Sequence, residues 1–432
     1  MKPFLRLLPL VLLIALAPVG SAQESSPAPS AAPAPSIAPG TDPAIATRAW
    51  LDTVPAEKRE KSDAYFEGGY WLILWNFLLS AAISLLLLQT RVSARLRDFA
   101  ERTTRFKAMQ VAIYAIAYLL LASVLSFPLL VFQRFFREHK YGLATQSFGP
   151  WFGEQLTALA VEMIAFILLS IALYAVFRRA PRTWWLWGTA VVTFFLTLGI
   201  LISPIYIEPL FNKYKPLTDA RISESILTMA RANQIPVKQV FEVDASRQTN
   251  RISANVAGFL GTTRIALNDN LLKQCTLPEI RYVMAHEMGH YVLNHITKLL
   301  LNFALMTLIS FALARFFFEA AVRRWGARWN VRGIADPAGA PLLVLIFAAI
   351  SFVLTPISNT MTRVSEVEAD AFGLNASREA DGFAKVALKL GTYRKLDPSP
   401  LEEFIFFDHP SGRARIRMAM DWKAANLPAG GE

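Results

Sequence analysis

Six long apolar segments dominate the hydrophobic pattern of this chain. Each contains about 20 residues or more, and at ~1.5 Å per residue a helix of that length crosses ~30 Å of hydrocarbon. Short stretches rich in basic residues separate several of them. The pattern predicts a predominantly α-helical polytopic membrane protein with six spans, at residues 70–89, 108–132, 156–177, 184–205, 299–318 and 341–360.

The first 50 residues follow a different pattern. Lys2 and Arg6 precede an apolar run at 7–16 and small residues at 20–22, which is the order of a secretory signal peptide. Residues 23–50 are rich in proline, alanine and serine and predict an extended linker, because they have little apolar area to bury. We expect a signal peptide at 1–22; the alternative is an uncleaved membrane anchor.

Two segments outside the spans have the mixed pattern of a folded aqueous domain. In 207–298, residues 220–233 have helical period, 238–244 and 252–260 resemble strands, and a hairpin through Gly261 leads into 262–267. The second segment is 362–432. We therefore expect four spans in 51–206, two in 299–361, and one domain with a small β-sheet built from 207–298 and 362–432.

Residues 286–290 form the pattern HExxH within the first of these segments. Positions i and i+4 share one face of a helix, so His286 and His290 can bind one Zn²⁺ while Glu287 points toward a bound water. The two histidines share a face only if the motif lies within a regular helix. The motif also needs a third protein ligand, since a catalytic zinc has three protein ligands and one open position.

A helix around the motif is predicted from its flanking residues. Thr276 is suited to the N-cap, Pro278 to the first turn, and Glu279 to the third position of a capping box. The helix should start near Leu277 and, with no proline to stop it, continue past His295. The i+5 offset of His295 from His290 turns it off the metal face, so we expect it beside the ligands rather than among them.

The candidate for the third ligand is Glu366. Glu366 and Asp370 fall on one helical face, so one can bind the metal while the other hydrogen-bonds a ligand histidine. Glu368 should point elsewhere. Without the upstream HExxH, the more common explanation would be a solvated acidic helix face.

Several motifs resemble those of the integral-membrane zinc metalloproteases related to the type I CAAX prenyl protease. The likeness extends from about residue 52 to the C-terminus. It includes the HExxH helix and a segment similar to the ExxAD ligand helix of that family. The further matching residues are Pro209-Leu210-Phe211-Asn212-Lys213-Tyr214, Pro216-Leu217, Ser253-Ala254-Asn255-Val256, Gly258-Phe259, Arg264-Ile265-Ala266-Leu267, and His409-Pro410 with Arg415.

The resemblance implies a gluzincin-like metallopeptidase with one zinc per chain, and it implies roles at matching positions. By it, His286, His290 and Glu366 bind zinc and Glu287 is the general base. His409 would face the oxyanion, Arg363 and Arg415 would support the site, and Ala254 and Asn255 would lie on an edge strand that pairs with substrate. The strand could instead be an ordinary structural hairpin. The chain differs from the eukaryotic members in its signal-like N-terminus and in lacking aromatic residues at 253–256.

Charge adds an expected orientation. The formal net charge is +11, but the basic residues cluster in the loops at 91–107, 178–182 and 323–332, beside the spans, which argues against nucleic-acid binding. Loops of this kind are typically cytoplasmic. We therefore expect a multi-pass protein of a bacterial inner membrane with its catalytic face in the periplasm, whereas the resemblance implies a cytosolic face.

These observations favour a membrane-embedded zinc metalloendopeptidase that acts on hydrophobic or membrane-associated peptides or proteins. The alternative is a noncatalytic quality-control chaperone or scaffold with a structural zinc. A structural site would need a fourth protein ligand, and no cysteine or histidine has suitable spacing. Cys275 is the single cysteine, and its position before the helix cap suits a small structural residue better than a nucleophile.

Overall fold

The computed structural model describes residues 35, 37, 40–257 and 263–427. The predicted signal peptide at 1–22 lies outside these residues. The first part of the chain forms α1 Pro43–Asp52, α2 Ala56–Gln89, α3 Val92–Thr103, α4 Lys107–Arg134, α5 Phe136–Lys140, α6 Phe148–Arg179 and α7 Trp184–Ile202. The second part forms β1 Tyr214–Pro216, α8 Ala220–Ala232, β2 Val240–Val243, β3 Ala254–Ala257, β4 Arg264–Asn268, α9 Asp269–Gln274, α10 Leu277–Val292, α11 His295–Trp329, α12 Ala340–Ser377, α13 Ala380–Leu390, α14 Pro400–Phe406 and α15 Gly412–Asn426.

Six helices of the described chain are long and apolar enough to span a membrane: α2, α4, α6, α7 with the turn that follows it, α11 and α12. The predicted polytopic fold is confirmed. The helices are longer than the apolar segments; α2, for example, begins at Ala56 rather than at residue 70. Its polar first turns bind the C-terminal part of the chain, where Glu67 pairs with Lys395 at 2.6 Å and Ser62 Oγ donates to the Arg394 carbonyl at 3.2 Å. The polar extensions thus join the bundle to the aqueous domain.

Helix α1 lies in the stretch that was expected to be an extended linker. Asp42 caps it by accepting from the Ala44 amide at 2.6 Å. Trp50 and Leu51 are buried against α13 and α15. The prediction of a linker up to residue 50 was wrong from Pro43 onward, because these two side chains provide the apolar area that the composition of the stretch as a whole conceals.

Within the described residues the sheet has four strands, in the order β1-β2-β4-β3. β2 is parallel to β4, and β1 and β3 are antiparallel to their neighbours. The sequence did not predict β1, and the predicted strands began about two residues before β2, β3 and β4. The prediction that β3 and β4 are neighbours is confirmed, whereas the predicted turn at Gly261 lies outside the described residues. Strand β3 lies at the edge of the sheet and contacts α10, so it borders the helix that carries HExxH.

Helix α10 begins where the capping box predicted and ends earlier than expected. The Thr276 amide donates to Glu279 Oε2 at 2.6 Å, and the last helical residue is Val292. Asn294 then adopts the left-handed conformation with φ 54°, and α11 starts at His295. The predicted continuous helix was wrong because asparagine tolerates this conformation at low cost. The fifth span therefore starts immediately after the motif helix.

Helices α10 and α12 pack closely against each other. A Cβ atom added at Gly373 would lie 3.2 Å from the backbone nitrogen and Cα of His286, and one added at Gly289 would lie 3.1 Å from Phe372 Cβ. Larger residues at either position would push the helices apart. Helix α12 is one uninterrupted helix that carries both the sixth span and the acidic pair Glu366 and Asp370.

The basic loops meet at the other end of the bundle. Arg97 pairs with Asp336 at 2.6 Å and Arg332 with Glu101 at 2.8 Å, and Arg178 lines one cavity with both arginines. The 35 residues of α11 separate this end from His295, a distance of roughly 50 Å at ~1.5 Å per residue. The three loops that were expected to share one side of the membrane therefore share one end of the molecule.

Candidate metal centre

Three side chains converge where α10 crosses α12. The Nε2 atoms of His286 and His290 are 3.2 Å apart. Glu366 Oε2 lies 3.4 Å from His286 Nε2, and Glu366 Oε1 lies 3.5 Å from His290 Nε2. The three possible ligand atoms all lie within 4.8 Å of one another. The spacing on α10 and the acidic face of α12 thus meet as the sequence predicted.

Asp370 fixes the orientation of His286. Its Oδ1 lies 2.8 Å from His286 Nδ1 and also accepts the Tyr282 hydroxyl at 2.8 Å. Arg415 joins the two α12 carboxylates, with Nε 2.8 Å from Asp370 Oδ2 and Nη2 3.1 Å from Glu366 Oε2. A carboxylate on Nδ1 keeps that nitrogen protonated, so the neutral form of His286 has its lone pair on Nε2, facing the other two ligand atoms.

His295 lies directly behind His290. The two Nδ1 atoms are 2.8 Å apart, and His295 Nε2 lies 2.9 Å from Glu368 Oε2. Lys298 pairs with the same carboxylate oxygen at 2.6 Å. Glu368 does point away from the ligand group as expected, but it reaches that group through His295.

His409 enters the site from the segment between α14 and α15. Its Nδ1 lies 2.7 Å from Asp408 Oδ1, and its Nε2 lies 3.3 Å from Glu366 Oε2. Within the described part of the chain, Arg363 makes no hydrogen bond or ion pair with His286, His290 or Glu366. It donates instead to the carbonyls of Glu403 and Phe407, and so holds the backbone just before His409.

A cavity of about 100 Å³ opens beside the ligand group. Glu287, His409 and Arg415 line it, together with Ser253 and Ala254 at the start of β3. Asn255 does not line it. Five apolar side chains also line it, those of Ile252, Leu271, Val283, Val386 and Leu390, together with Tyr282, Asp370 and Arg394.

The register of β3 determines which backbone groups reach the cavity. The Asn268 amide donates to the Ser253 carbonyl at 2.9 Å, and Asn255 is paired with Ala266. Because hydrogen-bonded and non-hydrogen-bonded pairs alternate along an antiparallel ladder, residues 253, 255 and 257 direct their backbone groups to β4. Ala254 and Val256 direct theirs to the open edge. Asn255 can therefore offer a peptide only its side chain, whose Oδ1 is buried without a hydrogen-bond partner in the described part of the chain.

The two histidines of the motif differ in their preference for a proton. Burial opposes the charged form of His286, but the carboxylates of Asp370 and Glu366 outweigh it and raise the pKa of His286 to about 10. Burial, with His286 as a like-charged neighbour, lowers the pKa of His290 to about 3. The pair thus favours one positive charge between the imidazoles and Glu366.

This donor set fits a metal cation. Two imidazole nitrogens and a carboxylate suit a tetrahedral Zn²⁺ with one open position. The lone pair that Asp370 leaves on His286 Nε2 points at the other ligand atoms, and the site favours a positive charge there. His286, His290 and Glu366 would hold the ion, with Asp370 and His295 behind the two histidines.

Two contacts were missed by sequence reasoning. Tyr282 precedes His286 by four residues on α10, so the same i, i+4 rule that paired the histidines could have placed it beside them. Asp408 adjoins His409 in the chain, but a contact between sequence neighbours depends on the loop conformation and has no comparable signal.

Comparisons with known proteins agree with this geometry. The family model for peptidase family M48 matches residues 216–423, and the one described as CAAX prenyl protease N-terminal, five membrane helices, matches residues 46–213. YhfN of Bacillus subtilis (strain 168), named an uncharacterized metalloprotease, is 29% identical over 363 residues, which cover 82% of this chain and 84% of YhfN. CAAX prenyl protease 1 of Saccharomyces cerevisiae is 26% identical over 346 residues, 74% of each chain.

A solved structure has the same fold. The crystal structure of S. mikatae Ste24p superposes with a TM-score of 0.73 at 21% identity and covers 85% of this chain and 90% of that one. The membrane helices, strands β2 to β4 and the crossing of α10 and α12 all lie within the matched family regions. The chain belongs to the CAAX prenyl protease family of membrane metalloproteases.

Proposed function

We propose that this protein is a zinc endopeptidase that cleaves hydrophobic or membrane-associated peptides and proteins. The observation that carries the proposal is the convergence of His286, His290 and Glu366 beside a cavity that Glu287 also lines. Membership of a metalloprotease family agrees with it. The identity of the metal, the roles of the residues and the substrate class are the parts we add.

A Zn²⁺ held by His286, His290 and Glu366 would supply an acidified water and a Lewis acid for the scissile carbonyl. Glu287 follows His286 in the chain and lines the same cavity, so it can accept a proton from the attacking water and pass it to the leaving amine. Arg415 and Asp370 would act by position: they fix the carboxylate of Glu366 and the ring of His286.

His409 is the proposed donor to the oxyanion. Its Nδ1 is held by Asp408 at 2.7 Å, which leaves Nε2 toward the cavity. In its protonated form this nitrogen can donate to the oxygen that becomes negative during attack. Arg363 would contribute by holding the Phe407 carbonyl and hence the approach to His409.

Substrate would pair with the open edge of β3. The outward backbone groups of Ala254 and Val256 can bind an extended peptide as an added strand, which gives affinity with little demand on sequence. Asn255 would contribute by holding β3 to β4, since its backbone groups face β4 and its Oδ1 is buried. Apolar lining residues such as Val283, Val386 and Leu390 favour hydrophobic side chains next to the cleaved bond.

We further propose that the protein lies in a bacterial inner membrane with the metal centre on the periplasmic side. The basic loops gather at the end of the bundle opposite the site, and such loops are typically cytoplasmic. The alternative of a noncatalytic scaffold with a structural zinc has less support, because the metal-binding group found among the described residues contains three side chains rather than four.

The decisive experiment compares three purified proteins: wild type, Glu287→Gln and His290→Ala. We expect about one zinc per chain in wild type and Glu287→Gln, and little in His290→Ala. The substrate is a hydrophobic peptide that carries a quenched fluorophore. Wild type should cleave it, and Glu287→Gln should cleave it at least ~10²-fold more slowly, which is the usual loss of rate when a general base is removed. Full activity in Glu287→Gln would falsify the role of this residue, and zinc-loaded wild type without activity would favour the scaffold.

A further inference from the structure

A second cavity lies at the basic end of the helix bundle, far from the metal centre. Its volume is about 350 Å³, which is in the range of small-molecule sites. It is enclosed by α3, the first turn of α4, the end of α6 and the loop between α11 and α12. Four cationic side chains line it: Arg97, Lys107, Arg178 and Arg332.

Two of these cations are fixed in the wall. Arg97 is buried, pairs with Asp336 at 2.6 Å and donates to the Asn330 carbonyl at 2.9 Å. Arg332 binds both oxygens of Glu101, at 2.8 and 3.1 Å. These contacts join α3 to the loop that follows α11. The cavity is therefore formed in advance of any ligand, and neither arginine needs one to balance its charge.

The other two cations have no such balance. Lys107 Nζ donates to the neutral amide oxygen of Gln110 at 3.1 Å, and within the described ranges neither Lys107 nor Arg178 forms an ion pair. Two carboxylates, Glu101 and Asp336, also line the cavity, but each is paired with an arginine. The segments 91–107, 178–182 and 323–336 together contain thirteen basic and three acidic side chains. The formal net charge of the whole chain is +11, so most of its excess positive charge lies at this end.

The position of these two residues relates the cavity to the membrane. Lys107 is the first residue of α4 and Arg178 is the last but one of α6, and both helices are spans. Phe106 and Met109 flank Lys107 and are 61% and 53% exposed. Aromatic and cationic residues at a span end are typical of the headgroup region. A lipid whose acyl chains pack against Phe106 and Met109 would have its headgroup at the cavity.

We propose that this cavity binds the phosphate of an anionic phospholipid headgroup, with Arg178 and Lys107 as the groups that recognise it. Basic loops orient a membrane protein in the bilayer, which explains why cations lie at this end of the bundle. That role requires only exposed positive charge. It does not account for a preformed cavity in which two cations lack acidic partners. Basic pockets between membrane helices bind the headgroups of anionic lipids in this way. The proposal does not depend on peptidase activity.

The test is native mass spectrometry of full-length protein released from micelles that contain phosphatidylglycerol or phosphatidylcholine. Three proteins are compared: wild type, Lys107→Gln/Arg178→Gln, and the matched control Arg179→Gln/Arg182→Gln. The control removes two exposed charges, one at the last residue of α6 and one in the loop after it, but none from the cavity lining. Inorganic phosphate is a separate competitor. Circular dichroism and zinc content establish that each variant is folded.

We expect wild type and the control to retain phosphatidylglycerol in preference to phosphatidylcholine. The Lys107→Gln/Arg178→Gln variant should retain about 20- to 30-fold less, since each lost cation near a headgroup weakens binding about fivefold. Equal losses in both double variants would overturn the proposal in favour of diffuse surface charge. Displacement of the lipid by low millimolar phosphate, with the same dependence on Arg178, would overturn the lipid as the source and leave a soluble phosphate site.

Discussion

His290 and His295 face each other through their Nδ1 atoms, 2.8 Å apart, across the break between α10 and α11. One of the two nitrogens must carry the proton. Because Glu368 lies 2.9 Å from His295 Nε2, the favoured arrangement protonates His295 at Nε2 and leaves its Nδ1 to accept from His290. His290 then has its lone pair on Nε2, which faces His286 and Glu366. The left-handed Asn294 between the helices makes this arrangement possible.

The first prediction concerns this contact. His295→Leu should lower zinc affinity by about 10- to 100-fold, because His290 loses the acceptor that fixes its tautomer. Lys298→Met is the matched control on the outer side of Glu368 and should change the affinity little, since an exposed ion pair is weak. Competition with a chromogenic chelator measures both. Equal affinity in wild type and His295→Leu would exclude a role for His295 in holding the ligand.

The second prediction tests the open edge of β3. Ala254→Pro removes an outward amide without touching the ladder to β4, so it should raise KM for a peptide substrate about tenfold or more while zinc content is kept. Ala254→Ser keeps the amide and is the control. Asn255→Pro should differ in kind: it removes a bond to β4 and should destabilise the domain. An unchanged KM in folded, zinc-loaded Ala254→Pro would contradict strand pairing.

The third prediction concerns sidedness. In a Cys275→Ser background, single cysteines at exposed Arg324 and exposed Ala424 lie at opposite ends of the bundle. A membrane-impermeant maleimide applied to spheroplasts should label Ala424→Cys at once and Arg324→Cys only after permeabilisation, because basic loops stay in the cytoplasm. The reverse pattern would place the metal centre on the cytosolic side, as the family resemblance implied.

The fourth prediction concerns the native cysteine. Burial raises the pKa of the Cys275 thiol to about 12. An ordinary thiol is about one-quarter thiolate at pH 8, so alkylation by iodoacetamide in the folded protein should be slower by a factor on the order of 10² to 10³ than in denaturant. The rate should rise with pH up to the limit of stability. Intact mass measures it, and rapid labelling of folded protein at pH 8 would indicate a reactive thiol instead.

The features predicted correctly from sequence are those with a regular spacing. HExxH on α10, Glu366 and Asp370 on α12, and the six apolar helices each depend on one helical period. Features that depend on a single residue's conformation or on packing between distant segments were missed. Helix α10 ends just before the left-handed Asn294. A helix that buries Trp50 lies where a linker was predicted, and Arg363 binds the Phe407 carbonyl rather than the ligand group. No local pattern predicts which distant segment will cover such a residue.

Glu366 and Asp370 lie on the same unbroken helix as the sixth span, and that helix passes His286 at the contact distance which Gly373 permits. A soluble fragment cut at the membrane surface would keep Glu366, a proposed metal ligand, but separate it from the span that positions its helix. We expect a change in the tilt of this span to shift Glu366 relative to His286. We therefore expect the affinity of the proposed site for zinc to depend on the lipid or detergent around α12, so affinities should be compared only between samples in the same bilayer or detergent.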